Sequence, residues 1–531
     1  MNNIRKETFS DISLSRRIFE AHYSEGCIEV INFCLSAEIW RLFLVFFRQF
    51  SLAYPFALQC KGDVPGLETT LAACLERIFN TKYGASLIPQ FMPFVQVGLQ
   101  AESQIVRCLA CKTVMYFLEN GSNDSVSAAL VIEHGIYPLL LDCLVNGDEL
   151  VAKASTDAIK SLAKYPESME VIFPANSDEA THLSNLAARC SSLGRIRVLA
   201  LIVKLFSVST SVASTIYSSN MLSLFESEIL NANDLLATLS VLELLYELSE
   251  TPHGADFLAR GTFLQLLTAT ISNTSVDSIL RSRAIMIIGR LFSTESTFAV
   301  LEESSVKTVL TVLGERMESL KDQDTDEFET AAEALGQIGS SIYGAALLFS
   351  TSLARYLFIA AFERQGRGKQ LAALHALGNI VGEIRSDDKK LLNVNAEESL
   401  RSLIYEIAAR SSKLTPSALF LSILRQDPEI RLATYRIITG LVARPWCLME
   451  ICSKQEIIGI VTDPHNDSTK NGMEARYNCC EAIYKALSSS NKVSDPSLAD
   501  IAEKLHEAVK RGPYLARARM EAQPSVMTAE R

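Results

Sequence analysis

Proline is missing from one long stretch of this sequence: none occurs between Pro252 and Pro416. That stretch lacks the residue that most often breaks a helix, so it is expected to be unbroken helix and short turn. Sustained two-residue alternation is also absent, which argues against a sheet. The longest strongly apolar runs fall far short of a bilayer, which excludes a membrane span. Basic charge is in deficit. The net charge of −11 argues against a phosphate-binding surface, and so against nucleic acid. An acidic balance suits a basic partner surface, and it is equally what solubility alone would select. The 12 cysteines are scattered without a paired framework, and the N-terminus MNNIRKETFSDISL is polar rather than a secretory signal. Free thiols fit a reducing compartment, so a cytosolic or nuclear location is expected.

Apolar residues, by contrast, are plentiful. They make up 48% of 531 residues, too long a chain for one compact core but suited to a stacked array. The clearest single unit is DPEIRLATYRIITGLVARPW, residues 427–446. Asp427 suits an N-cap, Pro428 the first helical position, and Glu429 the positive end of the helix dipole. Ile430, Ala433, Ile437 and Leu441 recur at spacings of three and four and share one face, from which Arg431 and Arg436 are excluded. Gly440 lets a neighbour approach, and Pro445 is expected to end the helix. Such a helix buries its apolar face only against neighbours on either side.

The chain supplies them. Long amphipathic helices are expected to begin near Gln104, Glu149, Gly194, Asn233, Asp277, Asp326, Lys369, Pro428 and Met473. Most steps lie in the middle forties, the period of armadillo and HEAT repeats. A shared skeleton recurs, as in Val106, Ala110 and Val114, or Leu280, Ala284, Ile287 and Leu291. Shorter leucine-rich helices open after Gly135 and Gly261. The fold expected is an all-α armadillo/HEAT-like superhelical solenoid over residues 67–514. Residues 1–66 are expected to form N-terminal helices with an atypical aromatic stripe at Trp40, Phe43, Phe47, Phe50 and Tyr54. Residues 515–531 have too little apolar content to pack and are expected to be a disordered tail. Two loops are expected, an acidic solvated one at 320–329 and a basic, glycine-rich one at 364–370 that lacks the spacing of a phosphate-binding loop.

Chemistry is not motivated by any motif. Cys108 and Cys111 form CxxC inside a helical apolar pattern with no second pair, which points to core packing rather than metal. Cys479 and Cys480 are adjacent on a helix, so their side chains diverge. The 7 histidines include no pair at ligand spacing; His134 and His253 each precede a glycine and suit helix C-termini. No nucleophile elbow, kinase set or dinucleotide fingerprint is present. The expectation is a chain with no catalytic residue, cofactor or metal, working through its surface.

Specific segments carry a resemblance. LERIF (residues 75–79), VAKASTDAIKSLAKYP, HGADFLARG, ARPWCLM and KRGPYLAR together resemble, in order and spacing, the family of 26S proteasome non-ATPase regulatory subunit 5 over roughly residues 67–514. The aromatic segment at 40–56 departs from that pattern. The resemblance implies a helical-repeat chaperone for assembly of the proteasome regulatory-particle base. Its partners would be the C-terminal domain of a proteasomal ATPase subunit and associated base subunits. It would leave before the mature complex forms, and the free chain would be a monomer. Candidate contacts are Arg107, Arg197, Arg283 and Arg431, with Trp446 and Tyr514 near the end. For each arginine the competing expectation is a local pair, and for the two aromatics an anchor for the last repeats. Two other functions suit a repeat solenoid. An import adaptor needs a ladder of Trp and Asn, and this chain has only Trp40 and Trp446. A scaffold for a phosphatase or ubiquitin ligase is the other.

Overall fold

In the computed structural model the described residues run from 67 to 514, except 122–123, 175–181, 231–233, 261, 321–324, 363–365, 412 and 491–497. The expected N-terminal helices with their aromatic stripe, Gly261 and the tail lie outside them. The chain is an all-α solenoid, with no strand among the described residues. It divides into two compact units after Met221.

In each unit one long helix per repeat packs on its counterpart in the next, forming a ladder. The first unit's ladder is α1 (Leu67–Phe79), α2 (Gln104–Asn120), α3 (Glu149–Leu162) and α4 (Ser192–Phe206). The second unit's is α5 (Leu235–Leu248), α6 (Ser278–Leu291), α7 (Thr325–Ile338), α8 (Arg367–Ile380), α9 (Pro428–Leu441) and α10 (Lys470–Ser489). Two shorter helices commonly separate successive rungs, as Pro445–Cys452 and Gln455–Thr462 do between α9 and α10. That is the armadillo order.

Local chemistry sets where the rungs start. Ser103, Asp148, Ser191, Asp234, Asp277, Asp427 and Thr469 each cap a ladder helix by accepting first-turn amide hydrogens. Asp427 accepts from Glu429 N and Ile430 N at 3.1 and 3.2 Å. Ile430, Ala433, Ile437 and Leu441 are all buried, as their spacing requires. Gly135 takes φ +60° where the chain turns into Ile136–Asn146, a backbone that favours glycine. Close rung spacing depends on small residues. A methyl group on Gly289 of α6 would lie 2.7 Å from the Cα of Ala334 on α7. On Gly440 one would lie 2.6 Å from Val381 Cγ2.

Four local expectations are corrected. Pro445 does not end α9, which stops at Leu441; it opens the next helix at its first position, where a missing amide hydrogen costs nothing. His253 sits in the first turn of Pro252–Arg260, not at a helix C-terminus. The acidic stretch at 320–329 is not all solvated: Glu327 belongs to α7 and is 1% exposed. The basic stretch at 364–370 is helical from Arg367, and Lys369 and Gln370 are buried. Lys369 Nζ donates to Leu320 O at 2.9 Å and Gln370 Nε2 to Ala361 O at 3.0 Å.

Candidate functional site

The four arginines singled out by sequence are placed at joints between repeats. Arg107 of α2 is 9% exposed; its Nη2 reaches Asp142 Oδ2 at 2.7 Å and Cys143 Sγ at 3.5 Å. Arg197 of α4 donates through Nη1 to the carbonyls of Leu144, Val145 and Gly147, the free C-terminal end of Ile136–Asn146. Arg283 of α6 pairs with Glu243 of α5 at 2.5 Å and lies over the Tyr246 ring. Arg431 of α9 binds Asp467 Oδ1 at 3.0 Å and Asn466 O at 2.8 Å. Trp446 is half-buried, 5.8 Å from the Tyr405 ring. Tyr514 is 47% exposed and its hydroxyl donates to Glu474 of α10.

The structure adds buried carboxylates that sequence did not single out. Glu327 accepts from Arg281 at 3.1 and 2.9 Å and from Arg316 at 2.5 and 2.7 Å. Burial alone would raise its pKa, but the Arg316 and Arg281 guanidiniums hold it below the usual carboxylate value. Asp467 accepts from Arg431 and, at 3.1 Å, from the Tyr435 hydroxyl. Burial first, and then Asp467, push Tyr435 upward. Arg444, 2% exposed, forks onto Glu397 at 2.8 Å through both Nε and Nη2. These pairs satisfy one another inside the stack.

The thiols lie mostly within the packing. Cys479 and Cys480 are both buried and diverge as expected, Cys480 donating to Leu505 O at 3.8 Å. Cys108, half-buried, donates to Leu150 O at 3.8 Å. Cys143 is held below the ordinary thiol range by its hydrogen bond with Cys111 and by Arg107. Among the described residues no group of three or more His, Cys, Asp or Glu is placed to hold a metal ion.

What remains is the solvent side of the second unit's ladder. Among the described residues it carries two grooves of note. One, about 250 Å³, lies between α9 and α10, with Leu432, Arg436, Asn471 and Glu474 in its lining. Arg436 is tied to Glu383 at 2.9 Å, Asn379 at 2.7 Å and His375 Nδ1 at 3.0 Å. Burial and then Arg436 lower the His375 pKa, which favours the neutral ring as acceptor. The other groove, about 430 Å³, lies between α6 and α7 and is walled by Ile279 and Met286 on one side, Asp326 and Glu333 on the other.

Some of the exposed aliphatic side chains share one repeated position, the second residue of a ladder helix. They are Ile105, Leu150 and Leu193 in the first unit, and Leu236 and Ile279 in the second. Sequence reasoning missed them because it followed the buried stripe. The available signal was an aliphatic residue two places after a Ser or Asp cap, recurring with the repeat.

Comparison with known proteins supplies the context. The family described as proteasome non-ATPase 26S subunit matches residues 69–530. The human 26S proteasome non-ATPase regulatory subunit 5 is 21% identical over 458 residues, covering 84% of this chain and 86% of its own. The bovine protein of the same name is also 21% identical, covering 84% of this chain and 86% of its own. Among solved structures, an engineered protein aligns with a TM-score of 0.41 and 14% identity over 79% of this chain and 98% of its own.

Proposed function

This chain belongs to the proteasome non-ATPase 26S subunit family, and from that premise we propose that it is a non-catalytic chaperone for assembly of the regulatory-particle base. It binds the C-terminal domain of one proteasomal ATPase subunit, holds that subunit in an intermediate with associated base subunits, and leaves before the complex is complete. It acts in the cytosol or nucleus, and the free chain is a monomer. The observation that carries this reading is the family match over residues 69–530, which spans the described solenoid.

The physical mechanism needs only surface. The ladder face would cover part of the ATPase domain, and the remaining helices would stand in the way of the core particle. Stacking within each unit suits that task, because buried ion pairs and close rung contacts keep that unit's face preorganised and reduce the ordering cost of binding. Arg107, Arg197, Arg283 and Arg431 contribute by fixing one repeat against the next. Trp446 and Tyr514 do the same near the end of the array.

Co-purification tests this. Tagged full-length chain should recover proteasomal ATPase subunits from free regulatory modules, and little or nothing from completed proteasomes. Recovery of no ATPase subunit, or equal recovery from completed proteasomes, overturns the proposal.

A further inference from the structure

Every ladder helix from α2 to α10 packs on the helix immediately before it in the chain: α2 on Met92–Leu99, α3 on Ile136–Asn146, α9 on Pro416–Leu424. This is a rule of the repeat, because a neighbouring rung covers only one side of a ladder helix and the preceding helix covers another. α1 is the ladder helix with no predecessor among the described residues, where its principal neighbours are α2 and Lys82–Leu87. Its sequence nevertheless carries two apolar stripes. Ala72, Leu75 and Phe79 recur at spacings of three and four and are buried. Leu71, Cys74 and Ile78 recur at the same spacings, roughly a quarter-turn round the helix. That second stripe is left partly open: Cys74 is exposed, and Leu71 and Ile78 are only half-buried.

The other end of the array is finished differently. The last helix, Ala499–Arg511, packs on α10, buries Ile501, Ala502, Leu505 and Ala508, and keeps Glu503, Lys504, Glu507 and Lys510 exposed. A terminal helix with one apolar stripe and a polar outer side needs no further cover. α1 has one apolar stripe too many for a terminal helix.

The chain that leads into α1 has the composition to cover it. Trp40, Phe43, Phe47, Phe50 and Tyr54 alternate spacings of three and four. As a helix, residues 40–54 span about 22 Å, against about 20 Å for α1. Pro55 sets the end of that pattern. Residues 55–66, with Gly62, Pro65 and Gly66, make a connection that reaches up to about 40 Å, enough to fold one helix back along the other.

We propose that residues 40–54 form the helix preceding α1 and lie on it, with the aromatic stripe against Leu71, Cys74 and Ile78. The chain thereby caps its own array. Aromatic rings bury about 150–250 Å² each, so this stripe closes a face that small side chains would leave wet. Cys74, the smallest of the three, leaves room for a ring. The proposal stands apart from the chaperone reading, since it concerns how the array ends and not what it binds.

Thiol protection in the full chain tests this. Labelling of Cys74 by N-ethylmaleimide, read by mass spectrometry, should be at least about tenfold slower in wild type than in Phe43→Ser/Phe47→Ser, because in wild type the cap must lift first. Arg41→Ser/Arg48→Ser, off the stripe, should leave the rate as in wild type. Cys190, half-buried elsewhere in the first unit, is the control and should label alike in all three. A benzophenone amino acid in place of Phe47 should, on irradiation, join residue 47 to peptide 62–77 of the same chain. Equal labelling of Cys74 in wild type and the aromatic variant overturns the cap, and so does a cross-link found only between two chains. If Cys190 also labels faster in the aromatic variant, that variant has unfolded and the cross-link decides: its absence overturns the proposal.

Discussion

The two units hold their repeats together differently. In the first, the joints are donors laid onto backbone carbonyls or onto partly exposed carboxylates. Arg197 reaches three carbonyls, Ser161 and Lys164 reach Glu119 at 2.8 and 3.3 Å, and Lys112 reaches Glu76 at 2.7 Å. The second also has partly exposed pairs, such as Arg283 with Glu243, but it adds carboxylates taken out of water and locked between cations and hydroxyls, as at Glu327 and Asp467. A donor on a carbonyl can be lost and replaced by water. A buried carboxylate that loses its partners, or buried guanidiniums that lose their carboxylate, have no such replacement. The second unit thus contains joints that tolerate less change.

Glu327→Ala should break this contrast most severely. It strands two guanidiniums beside α7 and should cost about 3–5 kcal/mol. Hydrogen exchange should show the loss around α6 and α7, and a loss under about 1 kcal/mol would refute the stated role of the pair. The same residue predicts a pH effect. Its folded pKa is depressed, so its contribution is complete above the ordinary carboxylate pKa of 4.5. That contribution falls away as pH drops through the lower folded value. In Glu327→Gln the acid side of the stability curve should therefore be flatter, as denaturant melts between pH 3 and pH 7 would show.

Two smaller changes sharpen the comparison. Arg197→Ala removes three charge-assisted hydrogen bonds that water can partly replace, and should cost about 2 kcal/mol, confined to the first unit. Gly289→Ala forces a methyl group to within 2.7 Å of Ala334 and should cost about 1–3 kcal/mol in the second unit. Unchanged urea midpoints in either variant would contradict the contact it tests. The smallest effect is expected for Lys164→Ala. Its partner Glu119 is 39% exposed at the side chain, and the pair should be worth about 0.5 kcal/mol, shrinking in high salt.

Much of the helix order was legible beforehand. Expected ladder-helix starts at Gln104, Glu149 and Pro428 coincide with those found, and the others lie within a few residues. Caps and three-four spacing are local, so a sequence window contains them. The candidate face was less legible. Arg283 and Arg431 were recognised as lying at helix edges, but their partners Glu243 and Asp467 sit a repeat away and no window joins them. Glu327 and Lys369 fall where an expected loop meets an expected helix start, and charge there is normally solvated. Both are buried, since neighbouring rungs bring Arg281, Arg316 and the Leu320 carbonyl to meet them.

The sequence by itself determined the helical period, the buried stripes, the caps and the family pattern, because each depends on residues within one or two turns or on their order along the chain. The tertiary structure alone decided which charges are internal and which face solvent. Long side chains select partners by proximity in space, and packing one rung on the next sets that proximity across some 35–60 residues of chain. It also decided that Ile279 and Glu333 wall one groove, a pairing that exists only once α6 and α7 lie side by side.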